Sequence, residues 1–490
     1  MISAKLYIQG EWRESESDRR GERYNPAHLE ELVGTYEVAT IQETEEAVLS
    51  ASKALKRWKM KAGPERGEYL FKAAQLLEHN GKELACLITS EVGKPFGEAM
   101  GEVKRGVALL RYYAGEGMRA LGEVYPASDG PSLLYSNRVP LGVVGIITPW
   151  NFPVAIPLWK IAPALIYGNT VIWKPAEHSS LTAYRLMQLL EQAGFPPGVI
   201  QFVTGIGSEV GHTVINHPSI NGISFTGSNH VGKQIAKAAV ERGVKYQLEM
   251  GGKNPTIVAA DAHLEQAAEM TVSAAMRFSG QKCTATSRVI VERAVLEPFT
   301  KLLVDKVKGI KVSDPMQADC FLGPVVHPSA QADILSAIQQ GVNEGARIRA
   351  GGSLSSELSE GCYVNPTVLD HVKPDSDLAR KEIFGPVLAI IPADDFQHAI
   401  AIANDSQYGL SAAIFTSDID RMLSFLKHIE AGLIKVNGET AGVEPHAPFG
   451  GMKQSSSHSR EQGRAAIEFY TSVQTIVISP AGKSLEEAEA

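Results

Sequence analysis

The sequence has few of the features that mark secreted, metal-binding or nucleic-acid-binding proteins. Its four cysteines, spread over 490 residues, are too few and too scattered for a disulfide framework, and no C-x-x-C pair suggests zinc. Lys and Arg number 47 against 55 Asp and Glu, so the net charge of −8 argues against nucleic acid or an anionic membrane surface as a partner. We therefore expect reduced thiols and no bound metal.

Long apolar runs are missing as well. The most apolar stretch, 139–166, is broken by Asn151, Lys160 and five prolines, so it falls short of the ~20 apolar residues that a membrane-spanning helix needs. Residues 1–12 contain no apolar segment typical of a secretion signal. We expect a soluble, cytoplasmic protein with no membrane partner.

What the chain does have is length and a regular alternation of strands and helices. At one domain per ~150 residues, 490 residues predict about three units. Apolar runs separated by helical patterns predict five strands, which are Val143–Ile147, Thr170–Trp173, Ile200–Val203, Gly222–Phe225 and Tyr246–Glu249. A second alternating unit runs from about 256 to 436. The pattern predicts an α/β fold with two doubly wound parallel sheets, whose ligands bind beyond the carboxyl ends of the strands.

The segment 122–141 differs from this pattern. Short apolar alternation surrounds Asp129-Gly-Pro131, a sequence typical of a hairpin turn. We expect a protruding β-arm here and one more strand, Val473–Ile478, in the tail.

Two glycine clusters follow predicted strands, where a dinucleotide would bind. Gly205-Ile-Gly207-Ser-Glu-Val-Gly211 nearly forms a dinucleotide fingerprint, but its last interval is one residue too long, and a plain strand-to-helix turn has the same composition. At Thr226-Gly-Ser228 a strand ends and a helix begins, so free N–H groups there could hold a pyrophosphate. Ser228 is equally suited to a simple N-cap.

Polar residues at two other strand ends are further candidates. Lys174 and Glu177 follow a strand three residues apart, where they could hydrogen-bond ribose hydroxyls or simply pair with each other. Asn151 lies in a loop stiffened by Pro149 and Pro153, so its amide could be held ready for developing negative charge. The alternative is a turn asparagine that bonds only locally.

Cys283 and Glu249 are the candidate nucleophile and base. Cys283 lies in a polar, Gly-containing loop after an apolar helix, whereas most single cysteines are small core residues. Because a free thiol of pKa ~8.5 is only a few per cent ionised at neutral pH, a catalytic cysteine needs a base or positive surroundings. Glu249 ends a strand and precedes two glycines that let backbone approach it closely, which suits a general base.

Taken together, these motifs resemble the aldehyde dehydrogenase superfamily over about residues 8–477. Seven motifs occur in order at family-like spacing, which makes a chance match implausible. They are Thr148-Pro-Trp-Asn-Phe-Pro153, Lys174-Pro-Ala-Glu177, Phe225-Thr-Gly-Ser228, Leu248-Glu-Met-Gly-Gly-Lys253, Gly280-Gln-Lys-Cys283, Glu382-Ile-Phe-Gly-Pro386 and Pro448-Phe-Gly-Gly-Met-Lys453.

The resemblance implies a catalytic cycle on Cys283. Its sulfur would attack an aldehyde carbonyl, and the Asn151 amide together with the Cys283 backbone N–H would hold the oxyanion. Hydride transfer to a nicotinamide would leave a thioester, and Glu249 would activate the water that hydrolyses it to a carboxylic acid. A relative that passes the thioester to coenzyme A would not need Glu249, so hydrolysis is expected.

The resemblance also implies a dinucleotide site. Lys174 and Glu177 would lie at the adenosine ribose, Ser228 at the pyrophosphate, and Glu382 with Phe384 near the nicotinamide ribose. Because the Glu177 carboxylate would repel a 2′-phosphate while Lys174 would attract one, we expect NAD, with NADP as the alternative. The full predicted set is Ile147, Thr148, Pro149, Trp150, Lys174, Glu177, Gly207, Phe225, Thr226, Gly227, Ser228, Gly251, Glu382 and Phe384.

The same resemblance divides the chain into discontinuous domains. Residues 1–121 and 141–250 are expected to form the dinucleotide-binding domain and 251–453 the catalytic domain. Residues 122–140 and 454–490 are expected to form an oligomerisation arm and tail that make a homodimer or homotetramer. Exposed strand edges of such an arm would otherwise invite uncontrolled pairing.

The predicted substrate is a short semialdehyde that carries a carboxylate. Arg277, six residues before Cys283, matches an arginine that succinic semialdehyde dehydrogenases carry there, and a guanidinium captures a carboxylate through two hydrogen bonds. An arginine paired with a surface acid is the alternative. Phe152, Trp159 and Phe278 are expected to line the aldehyde channel.

The stretch 435–456 looks most like dehydrogenases of 2,5-dioxopentanoate (2,5-dioxovalerate, α-ketoglutarate semialdehyde). Succinic semialdehyde, betaine aldehyde and aliphatic aldehydes remain alternative substrates. After Lys453 the chain departs from the usual family pattern, because Gln-Ser-Ser-Ser-His-Ser-Arg460-Glu replaces x-Ser-Gly-x-Gly-Arg-Glu and is one residue longer. Family contacts near Ser455 therefore cannot be transferred to this chain.

A non-catalytic protein on the same fold is a hypothesis of another class, since a fold does not fix a function. The intact set of Cys283, Glu249 and Asn151 argues against it. Binding of RNA through the dinucleotide fold lacks a basic cluster in the sequence to support it.

Overall fold

Two seven-stranded sheets organise the chain, and the computed structural model describes residues 1–481. In the first, called the N-terminal sheet, the strand order is Lys245–Glu249, Gly222–Thr226, Val143–Thr148, Thr170–Pro175, Ile200–Phe202, Leu6–Ile8 and Glu11–Arg13. The first five strands are parallel, and the last two extend one edge in antiparallel fashion.

The second, called the C-terminal sheet, is built in the same way. Its strand order is Arg347–Ala350, Thr367–Asp370, Val387–Ala393, Thr286–Glu292, Asn254–Val258, Ser411–Phe415 and Leu433–Val436. All neighbours are parallel except the first pair, where Arg347–Ala350 runs antiparallel to the next strand.

Three small sheets complete the strands. They consist of Ile2–Ala4, His28–Glu37 and Arg20–Asn25; of Tyr408–Gly409 and Met452–Lys453; and of Thr471–Ile478, Leu133–Pro140 and Val124–Tyr125. In the last sheet Thr471–Ile478 pairs antiparallel with Leu133–Pro140 along its whole length. The predicted hairpin arm and tail strand thus form one three-stranded sheet.

Helices cover both faces of the two large sheets. In the N-terminal sheet, Val143 and Ile172 pack with helix Ile41–Trp58 on one face. Val144 and Val171 pack with helix Ala155–Ile166 on the other face. The α-helices are Ile41–Trp58, Gly63–His79, Gly81–Val92, Phe96–Glu116, Ala155–Ile166, Ser180–Gln192, His212–Asn216, Asn229–Arg242, Leu264–Met276, Leu296–Lys308, Pro328–Asn343, Asp377–Arg380, Phe396–Asn404, Ile419–His428 and Ile467–Tyr470.

Burial on both faces explains why the central strands are mostly apolar. Every residue of Thr170–Pro175 is buried, and so is every residue of Gly222–Thr226. Such strands are typical of parallel sheets with helices on both sides. The predicted α/β fold with two doubly wound sheets is confirmed.

The register of the N-terminal sheet brings the predicted site residues to one edge. Thr226 pairs with Glu249, and Thr148 pairs with Pro175, so these four residues all stand at the carboxyl ends of their strands. Because parallel strands end at the same edge, the loops that follow them meet there.

The structure places the first part of the predicted tail in a different location. Ser456 forms an isolated antiparallel bridge with Glu249, so the segment after 453 begins inside the site rather than in the arm. Within the described residues, only Thr471–Ile478 pairs with the arm. Residues 482–490 of the predicted tail lie outside the described residues.

Candidate active site

The candidate nucleophile lies between the two large sheets, in the turn that precedes strand Thr286–Glu292. The chain reaches it by a tight reversal after helix Leu264–Met276, where Phe278 and Ser279 both have a positive φ, of 52° and 53°. This conformation is uncommon for residues with side chains and persists only where surrounding contacts enforce it.

Contacts from three sides hold the Cys283 turn. The Asn254 side chain donates to the Cys283 carbonyl at 2.8 Å, and the Thr440 hydroxyl donates to the Thr284 carbonyl at 2.7 Å. The Gln281 side chain accepts from the backbone N–H of Val326 at 2.9 Å. The turn is therefore fixed by residues distant from it in the sequence before any ligand binds.

The surroundings of Cys283 favour the protonated thiol. Burial, with the nearby carboxylates of Glu249 and Glu382, raises the pKa of Cys283 to about 12. The sequence argument required a base or positive surroundings, and Glu249, the carboxylate with the larger effect on the thiol, stays the candidate base. The arrangement suits a nucleophile that loses its proton only as it attacks.

The predicted oxyanion residue lies beside this turn. Asn151 is only 4% exposed, and its side-chain Nδ2 donates to the Gln281 carbonyl at 3.0 Å. That bond uses one of the two amide hydrogens and links the Asn151 loop to the Cys283 turn. Its Oδ1 is buried with no hydrogen-bond partner within the described residues.

A buried ion pair holds the backbone of the Asn151 loop. Lys94 and Glu102 form a salt bridge with both side chains about fully buried, and Lys94 Nζ also donates to the Asn151 carbonyl at 2.7 Å. Glu102 accepts from the backbone N–H groups of Val154 and Ala155 at 2.8 and 3.0 Å, which satisfies the start of helix Ala155–Ile166. Two elements are thus tied to the loop that carries the amide.

Glu249 is held inside a polar network. It is 2% exposed, and its two carboxylate oxygens accept from Gln247 Nε2 at 2.9 Å and from the Ser456 hydroxyl at 2.5 Å. Burial and the nearby carboxylate of Glu461 raise the pKa of Glu249 well above its ordinary value, while Ser456 and Lys160 act in the opposite direction. A raised carboxyl pKa is what a general base near neutral pH requires.

The predicted adenosine residues border a cleft of about 560 Å³, whose lining includes Ile147, Lys174 and Gly207. Lys174 Nζ donates to Glu177 at 3.2 Å, and the backbone N–H of Gly207 donates to the same carboxylate at 2.8 Å. The Lys174–Glu177 pairing that the sequence left open therefore exists. Burial would raise the pKa of Glu177, but the charge and hydrogen bond of Lys174 and the bond from Gly207 bring it below its ordinary value.

The cleft suits a dinucleotide. Its volume lies in the range of small-molecule sites, and the hydroxyl of Thr226, at the adjoining strand end, is buried without a partner within residues 1–481. Ser228 caps helix Asn229–Arg242, because its hydroxyl accepts from Val231 N–H. A Cβ at Gly227 would stand 2.5 Å from the Phe225 ring, so only glycine lets the backbone turn there.

Two predicted nicotinamide-side residues lie between Glu249 and the C-terminal sheet. Glu382 accepts from the Gly252 backbone N–H at 2.9 Å, and a Cβ at Gly251 would stand 2.3 Å from its carboxylate. Burial raises the pKa of Glu382 to about 7. Phe384 has a φ of 57°, and its ring contacts the Trp150 ring at 5.7 Å.

The remaining loop residues support this edge. The hydroxyl of Thr148 accepts from Trp173 Nε1 at 2.9 Å, which ties the end of one strand to the next. Pro149 and Trp150 continue from it toward Asn151. Contact of all these residues with a cofactor stays a prediction.

The predicted substrate residues separate into two environments. Phe278 is fully buried, with its ring 6.3 Å from those of Trp150 and Phe152. Trp159 is also buried, and its ring packs against that of Phe449 in a tilted arrangement, with ring centroids 5.3 Å apart. Phe278 thus lies beneath the other rings rather than in an open channel wall.

Arg277 is exposed, and its contacts leave its charge uncommitted. Its Nε donates to the Ser273 hydroxyl at 2.9 Å, and the guanidinium carbon lies 5.2 Å from the centre of the Phe321 ring. It has no acidic partner within the described residues, so the surface ion pair considered above is not formed. The terminal nitrogens are free to receive a carboxylate.

Sequence reasoning missed three residues of this site. Lys282, next to the nucleophile, is 8% exposed, and burial lowers its pKa. Ser456 and Glu461 lie in the segment assigned to the tail, yet Ser456 contacts Glu249 and Glu461 pairs with buried Lys160. The adjacency of Lys282 to Cys283 was a usable signal, whereas the other two contacts join residues 207 and 301 positions apart.

No helix within residues 1–481 has the length and apolar character required to cross a bilayer. In the same residues, no three His, Cys, Asp or Glu side chains are grouped so as to hold a metal ion.

Comparisons with known proteins agree with this geometry. A model of the aldehyde dehydrogenase family matches residues 12–476. Alpha-ketoglutaric semialdehyde dehydrogenase of Bacillus subtilis (strain 168) is 50% identical over 476 residues, covering 97% of this chain and 98% of that protein. 2,5-Dioxopentanoate dehydrogenase of Saccharolobus solfataricus is 40% identical over 462 residues, covering 93% and 96%. A crystal structure of betaine aldehyde dehydrogenase from Staphylococcus aureus in complex with NAD+ has a TM-score of 0.95 at 33% identity, covering 99% of this chain and 96% of that chain.

Proposed function

The chain belongs to the aldehyde dehydrogenase family, and from this premise we propose that it oxidises a short carboxylated semialdehyde, such as 2,5-dioxopentanoate, to the carboxylic acid with NAD. The observation that carries the proposal is the proximity of Asn151 and Glu249 to the Cys283 turn: the Asn151 amide bonds to the Gln281 carbonyl of that turn, and the Glu249 carboxylate acts on the Cys283 thiol. Each of the three residues is held by contacts from a different element. The two semialdehyde dehydrogenases to which the chain is similar favour the same substrate class.

The first half of the reaction takes place on Cys283. As its sulfur attacks the aldehyde carbon, the thiol proton passes to Glu249, and the carbonyl oxygen becomes the oxyanion of a thiohemiacetal. The free N–H of the Asn151 amide and the Cys283 backbone N–H stabilise the oxygen while it is charged. Glu249 is the carboxylate with the larger effect on the pKa of the Cys283 thiol. It therefore carries the proton from sulfur to solvent.

A bound NAD would lie along the cleft bordered by Lys174 and Glu177 and would reach Glu382 and Phe384. When bound, it supplies the acceptor for the hydride that leaves the thiohemiacetal carbon, so that Cys283 is left as a thioester. The paired Glu177 carboxylate supports NAD over NADP, because a 2′-phosphate would be repelled there.

The second half of the reaction is hydrolysis of the thioester. Glu249 accepts a proton from water, the resulting hydroxide adds to the thioester carbon, and the carbon–sulfur bond breaks. The acid departs as its carboxylate, and Cys283 recovers its proton. The buried setting of Glu249 supports this role, because its raised pKa makes the carboxylate a better base than an exposed one.

The substrate carboxylate would be bound by Arg277. Its guanidinium has no acidic partner within the described residues and lies against the aromatic face of Phe321. Lys282 adds a second basic side chain next to the nucleophile. Burial lowers the pKa of Lys282, Glu98 and Glu439 raise it, and the charge of Arg277 lowers it, which supports a location of Lys282 near Arg277. A carboxylated aldehyde is the substrate that would neutralise such a pair.

A homo-oligomer fits the three-stranded sheet of the arm. Three apolar side chains on its last strand are more than half exposed, namely Val473, Val477 and Ile478. Because a single chain rarely leaves such a row of apolar residues on a strand uncovered, a second copy is the expected cover. Light scattering tests this: a dimer or tetramer is expected, and a monomer would contradict it.

The experiment for the function itself is NADH and NADPH formation with a panel of carboxylated, cationic and neutral aldehydes. Carboxylated semialdehydes are expected to give the highest kcat/KM, and NAD to be preferred. The Cys283→Ser variant serves as the blank. Equal kcat/KM across the panel would contradict the substrate class, and activity in the blank would contradict the mechanism.

A further inference from the structure

Three consecutive serines, Ser455, Ser456 and Ser457, lie alongside the strand that ends in Glu249. The Met250 N–H donates to the Ser455 carbonyl at 2.7 Å, and the Ser457 N–H donates to the Leu248 carbonyl at 2.9 Å. This serine segment is the part of the chain that departs from the usual family pattern after Lys453. Counted from that lysine, Ser456 stands where the pattern has glycine, which has no side chain to contact a carboxylate.

Each serine hydroxyl has its own partner. Ser455 accepts from the Gly409 N–H at 3.0 Å, and Ser457 accepts from the Leu248 N–H at 2.8 Å. Ser456 instead donates to Glu249 Oε2 at 2.5 Å. Only the middle hydroxyl of the segment therefore reaches the candidate base.

The Ser456 hydroxyl has two contacts. Its oxygen accepts from the Gly451 N–H at 2.6 Å, and it is the donor to the ionised Glu249 carboxylate, which has no hydrogen of its own to give. The other carboxylate oxygen accepts from Gln247 Nε2 at 2.9 Å, and Gln247 Oε1 accepts from the Ser224 hydroxyl at 3.2 Å, which sets the amide orientation. Both oxygens of Glu249 thus accept hydrogen bonds, an arrangement that favours the ionised carboxylate.

The charged groups around Glu249 come from several elements. Glu461 opposes ionisation of Glu249, while Lys160 and Arg460 favour it. On the side of the nucleophile, Cys283 is influenced by the same carboxylate. Since Lys160 forms its ion pair with Glu461, much of its charge is already engaged. The Ser456 hydroxyl is a neutral donor in direct contact with the base, and no acid competes for it within the described residues.

We propose that Ser456 is a positioning residue for thioester hydrolysis: its hydroxyl favours the ionised form of the Glu249 carboxylate and orients it, so that it can accept a proton from water. The inference rests on the proposed function. It goes beyond that function, because it makes Ser456, a serine outside the family pattern, responsible for the pH range in which hydrolysis operates. Without the hydroxyl, the buried carboxylate would hold its proton more tightly, and hydrolysis would begin at higher pH.

The test is the rate constant for loss of the Cys283 acyl group, measured by quenched mass spectrometry across the neutral pH range. In Ser456→Ala the acid limb of this profile is expected to move upward by about one pH unit, because losing one hydrogen bond to a charged group changes its proton affinity by about tenfold. Because the Glu461 carboxylate also raises the pKa of Glu249, the position of the limb reflects both groups, and its displacement between variants is the readout.

Matched controls come from the same segment. Ser455→Ala and Ser457→Ala each remove one loop hydrogen bond without touching Glu249, and they are expected to leave the limb where it is in the parent enzyme. Ser456→Thr keeps a hydroxyl and is expected to restore the parent profile. Ser456→Gly, the residue of the family pattern, provides a second variant if the alanine variant does not fold.

Two results would overturn the inference. One is a Ser456→Ala or Ser456→Gly profile that superimposes on the parent profile, and the other is an equal displacement in Ser455→Ala. If the parent enzyme forms no acyl adduct on Cys283, the proposed function itself fails. An adduct whose loss does not depend on Ser456 removes only the positioning role.

Discussion

Removal of the Asn151 amide is expected to slow the chemical step by two to three orders of magnitude. One N–H of this amide is used by the Gln281 carbonyl, and the other is free to meet the oxyanion. Loss of one such donor typically costs ~10²–10³ in kcat, equivalent to about 2.7–4 kcal/mol. The buried Gln281 carbonyl loses its partner as well, which destabilises the fold by about 1–3 kcal/mol.

Stopped-flow NADH formation separates these two effects. In Asn151→Ala the burst of NADH is expected to disappear, because acylation becomes slower than hydrolysis, while KM changes little. Asn151→Asp has nearly the same shape but no N–H donor, so it is expected to lose the burst too. A kcat within about threefold of the parent value in both variants would refute the oxyanion role, since a lost donor costs far more.

Three further predictions concern the substrate anchor, the thiol and the ion pair. Arg277→Ala is expected to lower kcat/KM by about 10–100-fold for carboxylated aldehydes, because a charge-assisted hydrogen-bond pair is lost. The loss for neutral aldehydes is expected to be much smaller. Equal losses for both classes in steady-state assays would contradict the role of Arg277 as carboxylate anchor. The rate of Cys283 alkylation by iodoacetamide, followed by peptide mass spectrometry, is expected to rise about tenfold per pH unit between pH ~8 and ~10. The reason is that the thiol stays mostly protonated at every pH below its raised pKa. A plateau of the rate near pH ~9 would mean an ordinary thiol. Glu102→Gln is expected to destabilise the protein by about 3–5 kcal/mol in urea unfolding, because Lys94 is left buried without its ion-pair partner. The double variant Lys94→Met/Glu102→Gln should recover part of this loss. A Glu102→Gln variant as stable as the parent protein would contradict the account.

The sequence was most informative at the strand ends. Five apolar runs predicted five strands, and the register of the sheet then placed Glu249 beside Thr226 and Thr148 beside Pro175. Parallel topology alone makes this step possible, because every strand of a parallel sheet ends at the same edge. Cys283 came from a different signal, the polar and glycine-containing loop around it.

The contacts around Glu249 could not be found in this way. Periodicity and turn composition describe residues a few positions apart, whereas Ser456 reaches Glu249 across 207 positions and Glu461 reaches Lys160 across 301. The family resemblance assigns this segment to the arm and tail, and its packing against the strand has no local signature in the sequence. The positive φ values of Phe278 and Ser279 were hidden for a similar reason, since tertiary contacts impose them.

The central claim is that catalysis proceeds through a thioester on Cys283 that Glu249 helps to hydrolyse. The most direct measurement is mass spectrometry of Glu249→Gln after mixing with NAD and a carboxylated semialdehyde. We predict one NADH per active site, no further turnover, and an acyl adduct on the peptide that contains Cys283. Continued turnover at the parent rate, or an adduct on another residue, would contradict the account.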